Sequence, residues 1–350
     1  MAEVNHEIGP AARNWPSAAL HWIFDWQPPS FMPESISLTE IQNARQRIAP
    51  CIRRTPLTTS TTLSERLKTN VYVKLEMLQK TGSFKVRGAF SKALSLRPEE
   101  RGRGIVAVSG GNHGQAVAYV ARALGLPCTV LMPEGTPANY VEASRGYGAQ
   151  VKFAATAVEA FSEVARYQGE GWAFIHPFDD PLVIAGQGGI GLEILEDVPH
   201  VTDVVVSVGG GGLAGGVATA IKSLKPTVRV WGVETEGADC VSKSIAAGKI
   251  VTLSAITSVA RTLGAPAPSE RTFEMATRLL EGITVVPDSE ALDALRYLLE
   301  RLKVLSEPAA SCTWAAAERL RGNFSPERHV VLIMSGGNIS IGDIARTGAP

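Results

Sequence analysis

The run VVVSVGGGGLAGG at residues 204–216 limits the possible folds of this chain more than any other stretch. Five residues dominated by valine have the length of a fully buried strand. Four glycines cannot continue it, and a small-residue pattern of helical period follows in LAGGVATAIKSL. A strand that is apolar on both faces and turns directly into a helix belongs in a parallel sheet covered by helices. The same punctuation recurs in VAVSGGNHG (106–114) and LIMSGGNIS (332–340), which share Ser-Gly-Gly-Asn. Ligands of open α/β sheets bind beyond the carboxyl ends of the strands. Three glycine loops at three strand ends can therefore converge on one ligand.

The rest of the chain alternates in the same way. VYVKLEM (71–77), GIVAVS, PCTVLMP, AQVKFAA, DVVVSV, RVWGVE and HVVLIMS (329–335) read as strands. Between them lie helical patterns. SLTEIQNARQRIAP carries a Ser37–Glu40 capping box, SFKVRGAFSKALSL has Ser83 as its expected N-cap, and HGQAVAYVARALG ends at Gly125. PANYVEASRGYG, AVEAFSEVARYQG, GGIGLEILEDV, PSERTFEMATRLLEG, DSEALDALRYLLERLKV and PAASCTWAAAERL follow. The alternation predicts two doubly wound, open α/β lobes, with a break near the Pro- and Asp-rich HPFDDPL (176–182). Residues 1–34 are expected to be an extension outside them. They hold Trp15, Trp22 and Trp26 and end in the linker-like WQPPSFMP. Either this arm packs on a neighbouring subunit or an apolar patch, or translation starts at Met32.

Charge and cysteine usage exclude several function classes. Lysine plus arginine and aspartate plus glutamate are equal at 34 each, which argues against a chain-wide basic footprint for nucleic acid or an anionic membrane. Cys51, Cys128, Cys240 and Cys312 lie far apart without a C-x-x-C, so neither a disulfide framework nor a zinc-ligand spacing is present. A reducing, cytoplasmic compartment is expected. The apolar segments are short and end in glycine, which argues against membrane spans.

Gly209, Gly210, Gly211 and Gly212, with the helix that follows, have the form of a phosphate cradle. No Gly-Lys-Ser/Thr follows, so the loop is not of the Walker type. It does contain G-x-G-x-x-G (Gly210, Gly212, Gly215), and Glu234 stands about 20 residues on at a strand end, as in dinucleotide sites. An NAD-binding Rossmann oxidoreductase is therefore one reading. Lys85 distinguishes it from another. A dinucleotide enzyme has no need of Ser83-Phe84-Lys85 at the start of a helix. A pyridoxal phosphate enzyme needs a phosphate cradle, a Schiff-base lysine, a partner for the ring nitrogen, and donors for the 3′-oxygen and substrate carboxylate. Most lysines are solvated surface residues. Here the neighbouring loops supply the remaining parts of such a site.

KLEMLQKTGSFKVRGAF, SGGNHGQAVAYVARALGLPCTVLMPEGTP, HPFDDPLVIAGQGGIGLEIL, VVVSVGGGGLAGG, LSEPAAS and LIMSGGN occur in this order. Together they resemble the threonine dehydratase/serine racemase group of fold type II (tryptophan synthase beta-like) pyridoxal phosphate enzymes, over roughly residues 37–345. The resemblance implies a large cofactor-binding domain over 35–103 plus 177–350, a small domain over 104–176, and pyridoxal 5′-phosphate between the two lobes. It implies that Lys85 holds the cofactor as a Schiff base and that Phe84 packs on the pyridine ring. Asn112 would bond the 3′-oxygen. Gly209 to Gly212 and the amide of Leu213 would bind the phosphate, and Ser335 would face the pyridine nitrogen. Ser109 and the backbone of Gly111, Asn112 and His113 would receive the substrate carboxylate. The activity implied is α,β-elimination of water from a small-molecule β-hydroxy-α-amino acid (threonine, serine or a bulkier analogue such as phenylserine or hydroxyaspartate), giving a 2-keto acid and ammonia. Freed Lys85 would act as the base on Cα. Ser335 cannot keep the ring nitrogen protonated as a carboxylate would, which suits β-elimination and disfavours transamination. A homodimer is expected.

Some positions depart from the pattern. Serine racemases resemble Ser-Ser-Gly-Asn-His, with the second serine as the opposite-face base; here Gly110 takes its place, which argues against racemisation. Tyr140 stands where relatives often carry lysine, either packing in its helix or altering the entrance to the site. A divalent or monovalent cation near Glu234, Ala238 and Asp239 is doubtful, because Cys240 replaces the expected acidic ligand and magnesium and calcium prefer oxygen. The segment 257–276 also differs and is expected to shape the substrate pocket. A racemase, a β-replacement synthase, and a Rossmann oxidoreductase or non-catalytic binding protein remain as alternatives.

Overall fold

The computed structural model describes residues 36–347. The tryptophan-bearing arm, 1–34, lies outside them. Among the described residues ten strands form two sheets. β1 (Leu57–Thr59), β2 (Asn70–Leu75), β7 (Asp203–Ser207), β8 (Arg229–Thr235), β9 (Gly282–Val286) and β10 (His329–Met334) make a six-stranded sheet of order β1-β2-β10-β7-β8-β9. β3 (Ile105–Val108), β4 (Cys128–Pro133), β5 (Gln150–Ala154) and β6 (Ala173–Phe174) make a four-stranded sheet of order β5-β4-β3-β6. All pairings are parallel except β1 with β2. The chain leaves the larger sheet after β2, builds the smaller one, and returns at β7. No helix among the described residues is long and apolar enough to cross a membrane.

Burial explains why the glycine-ended strands read so clearly. Every residue of β7 is buried, as are Val330 to Met334 of β10, so both strands are apolar on both faces. The helix Pro181–Asp197 starts seven residues before the expected GGIGLEILEDV, capped by Asp180, whose carboxylate accepts from Leu182 and Val183 N–H at 2.8 and 3.2 Å. Four glycines would normally weaken such a helix. Here they let it touch its neighbours: a Cβ at Gly186 would stand 2.8 Å from the Arg87 carbonyl, and one at Gly191 2.8 Å from the Val217 carbonyl. The short β1, β6 and β9 and the helices Thr61–Leu67 and Cys240–Ala247 escape the sequence pattern. They are brief or mixed in polarity, and tertiary pairing decides them.

Behind the site lies a buried ion network. Arg87 donates to both oxygens of Glu76 at 2.8 Å and to the two of Glu193 at 2.8 and 3.0 Å. Lys74 reaches Glu193 at 2.6 Å and the Thr55 carbonyl at 2.7 Å. The network ties β2, the helix Lys85–Leu94 and the helix Pro181–Asp197 together.

Candidate active site

Lys85 owes its place to an unusual approach. Thr81 and Gly82 turn left-handed, with φ of 63° and 71°. Ser83 is then fully extended and pairs with Gly336, just beyond β10, as an isolated bridge. The N–H of Phe84 donates to the Ser335 carbonyl at 3.0 Å, and the helix starts at Lys85 with Phe84 as its N-cap. This corrects the expected Ser83 cap. The bridge to Gly336 holds Ser83 in strand geometry, and its hydroxyl is buried without a hydrogen-bond partner among the described residues. The same bridge sets Phe84, the residue before Lys85, beside Ser335.

The Lys85 amine is partly buried and donates to the Pro177 carbonyl at 2.7 Å. Burial lowers its pKa to about 8, against the opposing pull of Glu307. A neutral amine, the nucleophile in imine formation, is thus available near neutral pH. Deprotonation should therefore govern how fast the cofactor is captured. Reconstitution of apoprotein with pyridoxal phosphate should accelerate as pH rises through about 8, followed by stopped-flow absorbance; a rate that is flat or falls with pH contradicts it.

The residue after Pro177 connects the lysine to the tetraglycine. A Cβ at Gly212 would stand 2.7 Å from the Phe178 carbonyl, and one at Gly210 would overlap the Phe178 ring. Gly211 has φ of 91° and faces Thr272; Gly209 lies against Leu263. Glycine is thus required on all sides of a narrow cradle. The helix begins at Gly212, so the amides of Gly212 and Leu213 have no acceptor in their own helix and point at the loop. These are the donors a phosphate needs, and the residues present fit pyridoxal phosphate. Phe84 packs with Phe178 on the apolar cluster that holds Val208 and Leu213.

Glu307 lies at the centre of the site, and sequence reasoning assigned it no role. It is buried and accepts from Asn112 Nδ2 at 2.7 Å, Thr262 Oγ1 at 2.9 Å and the Asn338 N–H at 3.2 Å. Burial raises its pKa, opposed by those donors and by the charge of Lys85. The usable signal was a lone carboxylate in LSEPAAS, directly before a helix of small apolar residues, where a buried charge needs a reason.

On the other lobe, Ser109 Oγ accepts from the Gly111 N–H at 3.1 Å, so one of the amides expected to meet the carboxylate is turned to the serine. The helix Asn112–Leu124 starts there without a side-chain cap. His113 Nε2 donates to the Ile175 carbonyl at 2.8 Å, and burial pushes its pKa down to about 3. Its side chain is therefore a neutral anchor. Glu234 is turned to a helix terminus. Its two oxygens accept the Val241 and Ser242 N–H groups at 2.9 and 2.7 Å, capping the helix Cys240–Ala247, and burial raises its pKa to about 7. Asp239 is paired with Lys243 at 2.9 Å. A glutamate turned to helix amides does not serve a ribose, which removes the main support for the dinucleotide reading. Among the described residues no group of three or more His, Cys, Asp or Glu forms a metal-binding cluster.

Comparison with known proteins agrees with this geometry. A family model described as "Pyridoxal-phosphate dependent enzyme" matches residues 48–336. The chain is 42% identical over 313 residues to L-threonine ammonia-lyase of Thermotoga maritima, covering 89% of this chain and 78% of that protein. The structure of a threonine deaminase from T.th. superposes with a TM-score of 0.81 at 43% identity, covering 87% of this chain and 99% of the other. Maize serine racemase superposes with a TM-score of 0.85 at 34% identity, covering 90% and 97%. On these likenesses the chain belongs to the fold type II pyridoxal-phosphate dependent enzymes, and is a lyase among them.

Proposed function

We propose that the enzyme removes water from threonine or serine, giving a 2-keto acid and ammonia. The observation that carries this reading is the Lys85 amine, its pKa lowered to about 8 by burial, set beside the end of β10 and Glu307. The chemistry that pyridoxal phosphate supplies when bound is an electron sink that acidifies the substrate α-proton. Lys85 would hold the cofactor, and its free amine would take the substrate Cα proton as general base. The amides from Gly209 to Leu213 would hold the phosphate, and the Asn112 amide would donate to the 3′-oxygen. Ser335 would offer the ring nitrogen a neutral partner, which favours loss of a β-leaving group over transamination. Ser109 and the loop Gly111 to His113 receive the carboxylate.

A Cβ at Gly111 would lie 3.3 Å from the Thr262 methyl, and Leu263 packs on Gly209. The segment 257–276 thus closes on the site from the large-sheet side. The likeness to L-threonine ammonia-lyase supports threonine or serine over phenylserine or hydroxyaspartate. A panel of β-hydroxy amino acids of both configurations, assayed for keto acid and ammonia, tests the reading. Release of both products from threonine or serine is expected; turnover restricted to phenylserine or hydroxyaspartate would reject it.

Gly110 explains why elimination should dominate over racemisation. It has no proton to move. A Cβ there would also lie 2.5 Å from Thr136 Oγ1, which is itself bonded to the Pro133 carbonyl at 2.7 Å. Gly110→Ser should therefore give little serine racemisation by itself, and more when combined with Thr136→Ala. Chiral chromatography of the unreacted amino acid reads this directly; equal racemisation by the single and double variants counts against the steric argument.

A further inference from the structure

The glycine loops after β3 and β10 share Ser-Gly-Gly-Asn, and their asparagines meet. Asn338 Nδ2 donates to Asn112 Oδ1 at 2.7 Å. A primary amide is nearly symmetric in shape, so its partners decide which end faces which way. Asn338 Nδ2 also lies 2.7 Å from the Thr81 carbonyl, which can only accept. That orients Asn338 and commits its two amide protons, one to Thr81 and one to Asn112. Asn112 must then turn its oxygen toward Asn338. Its Nδ2 faces the other way, into the site, where it meets Glu307 at 2.7 Å.

Asn338 is held along its backbone as well. Its N–H donates to Glu307 at 3.2 Å, and its carbonyl accepts from the Tyr140 hydroxyl at 2.7 Å. Tyr140 is buried, on the helix Ala138–Gly146, which packs with the four-stranded sheet. Gly82 clears the space, since a Cβ there would overlap Asn338 Oδ1. The junction thus joins the turn before Lys85, the loop after β10, and two helices of the other lobe.

We propose that Asn338 is a positioning residue that fixes the donor face of Asn112, and that Tyr140 clamps Asn338 from the opposite lobe. The inference rests on the reading that Asn112 donates to the cofactor 3′-oxygen. A reversed Asn112 would aim a lone pair at an electron-rich oxygen and lose the bond. Aspartate at 338 cannot donate to Asn112, so it removes the constraint while keeping the shape.

The test compares holoenzymes carrying Asn112→Ala, Asn338→Asp, Asn338→Ala, Tyr140→Phe and the Asn112/Asn338 double alanine. The readouts are the visible absorption of the bound cofactor against pH and the rate at which it is lost on dialysis. Asn338→Asp should reproduce the spectral change of Asn112→Ala and weaken cofactor retention on the order of tenfold. Tyr140→Phe should move the same signal partway. The double alanine should be no worse than Asn112→Ala alone, because the two residues act through one bond. A shifted Asn112→Ala beside an unchanged Asn338→Asp overturns the proposal, as do additive effects in the double variant. If Asn338→Asp does not fold, Asn338→Ala carries the same comparison. A silent Asn112→Ala instead rejects the role of Asn112 on which the proposal stands.

Discussion

Lys85→Ala should lower turnover by roughly four orders of magnitude or more while the protein stays folded. On the proposed function the loss is large because one amine does two jobs, holding the cofactor and moving the Cα proton. The fold should survive because the amine makes one hydrogen bond, to the Pro177 carbonyl, and Glu307 keeps its donors from Thr262, Asn112 and Asn338. The stability change is expected to be about 1 kcal/mol. Steady-state assay with circular dichroism and urea unfolding separates the two effects. Retained elimination would overturn the assignment of Lys85, and a collapsed circular dichroism spectrum would show that its role is structural.

Glu193→Ala should have the largest effect on stability, about 3–5 kcal/mol. Glu193 receives Arg87 at 2.8 Å and Lys74 at 2.6 Å, and both cations are fully buried. Removing it strands positive charge where water cannot reach. Burial pushes the Glu193 pKa up, but Arg87 and Lys74 outweigh it and hold the value below the usual carboxylate range. Its contribution is therefore present above the ordinary carboxyl pKa and lost as acid protonates it. The pair Arg319–Glu290, at 2.6 Å with side chains 45% and 40% exposed, is the contrast. Glu290→Ala should cost less than about 1 kcal/mol, since water and salt screen it. Urea unfolding of both variants checks the ranking, and equal effects would contradict it.

The positions legible in advance were those where one residue type tolerates no substitute. Glycine at 211 is needed because φ is 91°, and at 212 because the Phe178 carbonyl leaves no room for a Cβ. Strands β7 and β10 showed as apolar runs because helices cover both their faces. Ser83 misled because its local pattern is that of an N-cap, while a bridge to Gly336, far away in sequence, holds it extended. Glu234 misled similarly, since a strand-end carboxylate suits a ribose and a helix N-terminus equally well. Glu307 and Asn338 went unassigned because their importance lies in partners from four separate segments.

The order of motifs along the chain determined the α/β class, the glycine cradle and the candidate lysine. Each depends on local backbone geometry or on a run of similar residues, which sequence records directly. Only the tertiary structure decided that Phe84, next to Lys85, meets Ser335, that Glu307 and Asn338 bind Asn112, and that Glu234 serves a helix. Those outcomes follow from contacts across long sequence separations, and an amide or carboxylate has no role until its partners are in place.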